Sequence, residues 1–192
     1  MYNNNIMIPE VCQMENNRSE TKINWLNEAY ELLDSIVLSA VCVLVLFTLI
    51  FRIFVVSGDS MFPTLKNGER LVVSGLFYDP KPGDIICFYS DYKDEVLVKR
   101  VIATAGQTVD VSDDLRVYVD GKELPEDYIG YIDTRRMSTS LPYTVEENHV
   151  FVMGDNRGDS MDSRDVRIGT VSKNDIIGRL IIRLFPRFGR VK

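Results

Sequence analysis

The 192-residue chain sets 22 Lys and Arg against 28 Asp and Glu, a formal charge of −6, with 45% hydrophobic and 26% charged residues. These are globular proportions with room for one domain and an appendage, and they exclude a disordered or collagen-like chain. A pI of about 4.9 argues against a basic nucleic-acid binder. One histidine, His149, excludes a zinc site of several imidazoles, and three cysteines make no disulfide framework.

The mean hydropathy of −0.04 conceals an uneven distribution of apolar residues. Residues 1–20 are rich in Asn and Glu and are expected to be disordered. Ile23, Leu26, Tyr30 and Leu33 then recur at helical spacing, which predicts an amphipathic juxtamembrane turn or two with Trp25 at the interface. Residues 36–51, IVLSAVCVLVLFTLIF, hold no charge; with Ser35 and residues 52–56 the run reaches 22 residues. As a helix it measures about 33 Å, enough for a hydrocarbon core of about 30 Å, with Arg52 near one end able to reach the headgroups. A buried core helix is the competing reading, but such helices are shorter and keep a polar face. A cleaved signal peptide would need a short positive segment ahead of it, and here 34 acidic-leaning residues precede the run. The expected organisation is a tail at 1–34, an anchor at 35–56 and a domain at 57–192. Cys12 falls in the tail, Cys42 in the anchor and Cys87 in the domain, so the domain rests on its core and not on bridges. Charge does not orient the anchor, because Arg18 and Lys22 on one side face Arg52, Lys66 and Arg70 on the other.

Beyond Val56 the pattern turns to period two. Leu71–Val73, Asp84–Tyr89, Val96–Ala103, Thr108–Val111, Leu115–Val119, Val150–Met153 and Leu180–Phe185 are short, rich in β-formers and bounded by turn residues. Asp120-Gly121 between VYV and KEL is a strong hairpin signal. Only short stretches, such as Lys173–Ile177, have helical character, and Tyr131–Tyr143 is a polar, loop-like insertion. The fold class is therefore mainly β: one transmembrane helix followed by an antiparallel domain. The last stretch, GRLIIRLFPRFGRVK, is too short and too basic to span a bilayer; its five positive charges suit lipid phosphates or a groove edge.

Three segments carry candidate chemistry. In Ser57–Leu65, Gly58 and Pro63 bracket a turn that can present Ser60, although a serine in a turn usually bonds its own backbone. In Glu95–Ala103, strand alternation sets Lys99 between Leu97 and Val101 on one face. A buried lysine there has a depressed pKa and can act as a base, whereas an edge lysine reaching water is the commoner outcome for such a strand. In Gly154–Arg164, eight of eleven residues are Asp, Asn, Arg or Ser, which predicts a loop bonded to itself. A calcium loop is the rival, but the spacing lacks alternate ligands and a terminal Glu.

The order of these blocks, GDSMFPTL, then VKRVIA, then FVMGDNRGDSMDSR, all behind an anchor, resembles bacterial type I signal peptidases, especially the short single-anchor Gram-positive kind. The resemblance spans 36–121 and 148–186 and leaves 122–147 and the first 22 residues uncovered. It implies a β catalytic domain of the signal peptidase and self-cleaving repressor type, extracellular, on a plasma-membrane anchor whose N-terminus is cytoplasmic. It implies that Ser60 is the nucleophile and Lys99 its general base, with Ser160 orienting the lysine. Asp162 and Arg164 would hold the loop, and Arg100 would join the same polar network. The Ser60 backbone N–H would bind the oxyanion. Some relatives add a serine hydroxyl two residues earlier, and Gly58 stands at that place. Val56 and Val98 would line shallow pockets for small substrate residues. The implied partners are signal peptides of exported preproteins and the lipid bilayer, with no nucleic acid, metal or cofactor. No oligomeric state follows from the sequence. A self-cleaving Ser/Lys protease and a non-catalytic membrane-tethered β module are the other readings.

Overall fold

A computed structural model describes residues 10–130 and 138–191. The first nine residues of the tail and residues 131–137 of the loop-like insertion lie outside the described residues. Two compact units result, one ending at Leu49 and one beginning at Ile50.

The first unit is a single helix, α1 (Glu10–Ile50). Helix therefore runs through residues 10–20, where the polar composition predicts disorder. Within it Asn27–Ile50, 24 residues, is long and apolar enough to cross a membrane. Ser39 Oγ donates to the Ser35 carbonyl at 2.7 Å and Thr48 Oγ1 to the Val45 carbonyl at 2.8 Å, so these hydroxyls are satisfied within the helix.

The helix ends six residues before the expected boundary at Val56. Phe51–Val55 instead forms strand β1, paired antiparallel with β2 (Arg70–Ser74) in the register Phe51↔Ser74 to Val55↔Arg70. Its residues are β-branched or aromatic at alternate positions, and pairing with β2 decides between two conformations that hydropathy does not distinguish.

The strands that follow are β3 (Ile85–Ser90), β4 (Glu95–Thr104), β5 (Thr108–Val111), β6 (Val117–Val119) and β7 (Lys122–Glu123). They continue with β8 (Tyr143–Thr144), β9 (His149–Met153), β10 (Val171–Ser172) and β11 (Ile176–Phe185). They build a seven-stranded antiparallel sheet in the order β1-β2-β11-β3-β4-β9-β10 and a four-stranded one in the order β7-β6-β5-β8. Lys173–Asp175 makes only a single 3-10 turn before β11 begins, so the helical reading of 173–177 yields to strand at Ile176. At the predicted hairpin, Asp120 and Gly121 both have positive φ, 52° and 75°, which a two-residue turn matching the strand twist requires.

Three buried clusters hold the domain. Ile102, Val109, Val117, Phe151 and Met153 join the small sheet to β4 and β9. Ile86, Phe88, Val101 and Val152 fill the second cluster. Met61 and Leu65, from the turn after β1, enter the third with Leu71 and Ile85. That last cluster fixes the turn carrying Ser60, because both Met61 and Leu65 are essentially inaccessible to solvent.

Candidate active site

Three chain segments meet at Ser60. The turn after β1 supplies it, and two hydrogen bonds from one residue hold its backbone. Asn156 N–H donates to the Ser60 carbonyl at 3.0 Å, and Asn156 Nδ2 donates to the Asp59 carbonyl at 3.1 Å. Strand β4 supplies Lys99 between Ile86 of β3 on one side and the loop leaving β9 on the other. Lys99 Nζ lies 2.8 Å from Ser60 Oγ.

Lys99 is 3% exposed. Burial, the largest influence, depresses its pKa from 10.5 to about 8, and the Asp162 carboxylate opposes the shift. A lysine so placed exchanges protons in the range where a serine hydroxyl needs a base.

Gly154, directly after β9, lies at the crowded centre. A Cβ there would stand 2.4 Å from the Ser60 carbonyl oxygen and 2.2 Å from Ser160 Oγ, so only glycine allows the loop to approach. Its N–H donates to Asp162 Oδ2 at 2.9 Å. Arg164 Nε and a terminal nitrogen donate to the two Asp162 oxygens, both at 2.8 Å, and the pair is wholly buried. Burial would raise the Asp162 pKa, but Arg164 and the Gly154 N–H outweigh it and keep the carboxyl below its usual range. Arg164 also donates to the Arg157 carbonyl at 3.0 Å, so the pair ties two parts of the loop together.

Arg100 joins a second network. Its Nε and a terminal nitrogen donate to Asp155 at 2.8 and 2.7 Å, and its other terminal nitrogen donates to the Gly83 carbonyl at 2.9 Å. Thr64 Oγ1 donates to the same Asp155 at 2.5 Å, tying the serine turn to β4 through one carboxylate. The pairing of Arg100 with Met153 explains the meeting, since Asp155 follows two residues later.

Ser160 Oγ is buried beside Gly154, next to the Ser60 carbonyl, and Lys99 Nζ has Ser60 Oγ within hydrogen-bond distance. Val56 is 5% exposed in the third apolar cluster and Val98 packs against that cluster, so the two meet, largely within the core. Gly58 N–H donates to Asn67 Oδ1 at 3.1 Å and is therefore engaged, whereas Ser60 N–H donates to none of the described residues. His149 Nδ1 lies 2.9 Å from the Glu147 carbonyl, in keeping with a structural role. Thr64, Asp155 and Asn156 stand inside the recognised segments, but their partners are remote in sequence. Glu126 and Tyr128 carry no local signal: Glu126 pairs with Arg157, and the Tyr128 ring covers Arg100.

The chain is similar to known proteins over this same architecture. Residues 29–185 match the family described as signal peptidase, peptidase S26. Signal peptidase I of Bacillus licheniformis is 35% identical over 182 residues, covering 87% of this chain and 94% of that protein. Signal peptidase I P of Bacillus subtilis subsp. natto is 33% identical over 182 residues, covering 90% and 94%. The crystal structure of a signal peptidase I from Enterococcus faecalis V583 is 34% identical, with a TM-score of 0.44 over 54% of this chain and 98% of that one. A family match across the helix and nearly the whole β domain, with relatives aligned over most of their length, makes this chain a member of the signal peptidase family, peptidase S26.

Proposed function

We propose that the chain is a membrane-anchored serine endopeptidase that removes N-terminal signal peptides from exported preproteins. The observation that carries this reading is the 2.8 Å approach of a buried lysine amine to Ser60 Oγ. Neutral Lys99 accepts the Ser60 proton as Oγ attacks the scissile carbonyl carbon, and the carbonyl π pair moves onto oxygen. Ser60 N–H, which donates to none of the described residues, donates to that oxyanion. The oxyanion collapses, the C–N bond breaks, and the Lys99 ammonium returns its proton to the leaving amine. Lys99 then takes a proton from water as its oxygen attacks the acyl carbon, and the ammonium returns that proton to Ser60 Oγ as the ester C–O bond breaks, restoring neutral Lys99 and the serine hydroxyl.

Asp162 and Arg164 hold the loop, and Arg100 holds Asp155 beside the serine turn. Ser160, whose hydroxyl lies against Gly154 next to the Ser60 carbonyl, takes the orienting role toward Lys99. The substrate binds extended against open strand edges, such as that of β1, with small side chains before the scissile bond near Val56 and Val98. The anchor crosses the plasma membrane once, N-terminus cytoplasmic, and the β domain faces outward. Only nine residues lie between Ile50 and Ser60, which tethers the nucleophile to the membrane that delivers its substrate.

Ser60→Ala and Lys99→Ala, assayed with a preprotein in lipid or detergent, are expected to lose cleavage while keeping the wild-type circular dichroism spectrum. Undiminished processing by either variant would refute the dyad.

A further inference from the structure

Between β7 and the insertion, residues 124–130 send two side chains to the loop after β9 and to the strand that carries Lys99. The Glu126 carboxylate pairs with Arg157, and the two side chains are only 10% and 1% exposed. The Tyr128 ring centroid lies 3.9 Å from the Arg100 guanidinium carbon and 5.9 Å from that of Arg157. We propose that Glu126 and Tyr128 form a strap that positions the Ser60–Lys99 pair, a reading that rests on the peptidase function above.

Two contact paths connect the strap to the reacting atoms. Glu126 holds Arg157, whose Nε donates to the Gly154 carbonyl at 2.9 Å, and the neighbouring Asn156 N–H holds the Ser60 carbonyl at 3.0 Å. Tyr128 covers Arg100, the residue beside Lys99, whose partner Asp155 accepts the Thr64 hydroxyl at 2.5 Å. An aromatic face excludes water from the Arg100–Asp155 pair, strengthening it, and attracts the guanidinium through its quadrupole. Burial pushes the Tyr128 phenol up to about 12, so the cover stays neutral wherever Lys99 titrates. The ring, not the hydroxyl, carries the effect, since the hydroxyl's contact with Arg157 is long at 3.4 Å.

The test is steady-state cleavage of a preprotein by the full chain in lipid vesicles, with Ser60→Ala as the baseline. Tyr128→Leu and Glu126→Gln are expected to lower kcat about tenfold to a hundredfold with KM within about twofold, as small misplacements of reacting groups do. Tyr128→Phe keeps the ring and is expected to stay within about twofold of wild type. Wild-type kcat in both Tyr128→Leu and Glu126→Gln, a loss confined to KM, or an equal loss in Tyr128→Phe would overturn the strap. If Tyr128→Leu does not fold, the isosteric Glu126→Gln and Tyr128→Phe decide alone. A wild-type chain no faster than Ser60→Ala would remove the peptidase reading and the strap together. A fast wild type matched by the strap variants would remove the strap only.

Discussion

Asp162 and Lys99 are both buried charged groups, treated in opposite ways. Asp162 receives Arg164 on both oxygens and a backbone N–H besides, and its ionised form is favoured. Lys99 has Ser60 Oγ as its hydrogen-bond partner, and its ionised form is disfavoured. A compensated charge fixes geometry, whereas an uncompensated one is ready to lose its proton. The domain uses the first kind, in Asp162–Arg164 and Arg100–Asp155, to immobilise the surroundings of the second.

The difference can be broken from either side. Asp162→Ala leaves Arg164 buried without its carboxylate and is expected to cost about 3–5 kcal/mol, the largest effect, read as a lower midpoint in denaturant. Lys99→Met does the reverse. The folded pKa of about 8 lies below the ordinary 10.5, so the folded state binds the proton less tightly than the unfolded chain. The penalty is fully present below pH 8, about 3 kcal/mol, and fades as pH rises toward the unfolded value. Lys99→Met is therefore expected to abolish cleavage while raising the melting temperature at pH 7, with the gain shrinking by pH 10. Thr64→Val removes one tie between the serine turn and Asp155 and is expected to cost about 1–2 kcal/mol, with kcat lowered more than KM. At the other extreme, Lys173 and Asp79 form an exposed pair at 2.7 Å, and Lys173→Ala is expected to leave the melting temperature unchanged.

Much of this site was legible because its chemistry is local in sequence. Ser60 in its turn, Lys99 in an apolar strand and the polar density of Gly154–Arg164 each announce themselves within a dozen residues. Asp120-Gly121 likewise specifies its hairpin through backbone conformation alone. What stayed hidden depends on distant partners. Phe51–Val55 continues the hydropathy of the anchor, and only β2, some fifteen residues on, makes it a strand. Ile176–Ile177 is strand because β3 lies beside it. Glu126 and Tyr128 acquire meaning only where Arg157 and Arg100 arrive, about thirty residues away on either side. Ser160 is legible as part of the polar run, and its hydroxyl lies buried against Gly154.

The central claim is that burial turns Lys99 into the base for Ser60, and the pH dependence of kcat/KM for preprotein cleavage tests it most directly. A single basic limb rising through about pH 8 is expected, because about a tenth of the lysines are neutral at pH 7 and most are neutral above pH 9. A limb at the ordinary lysine value of 10.5, or the same limb retained in Lys99→Ala, would contradict it.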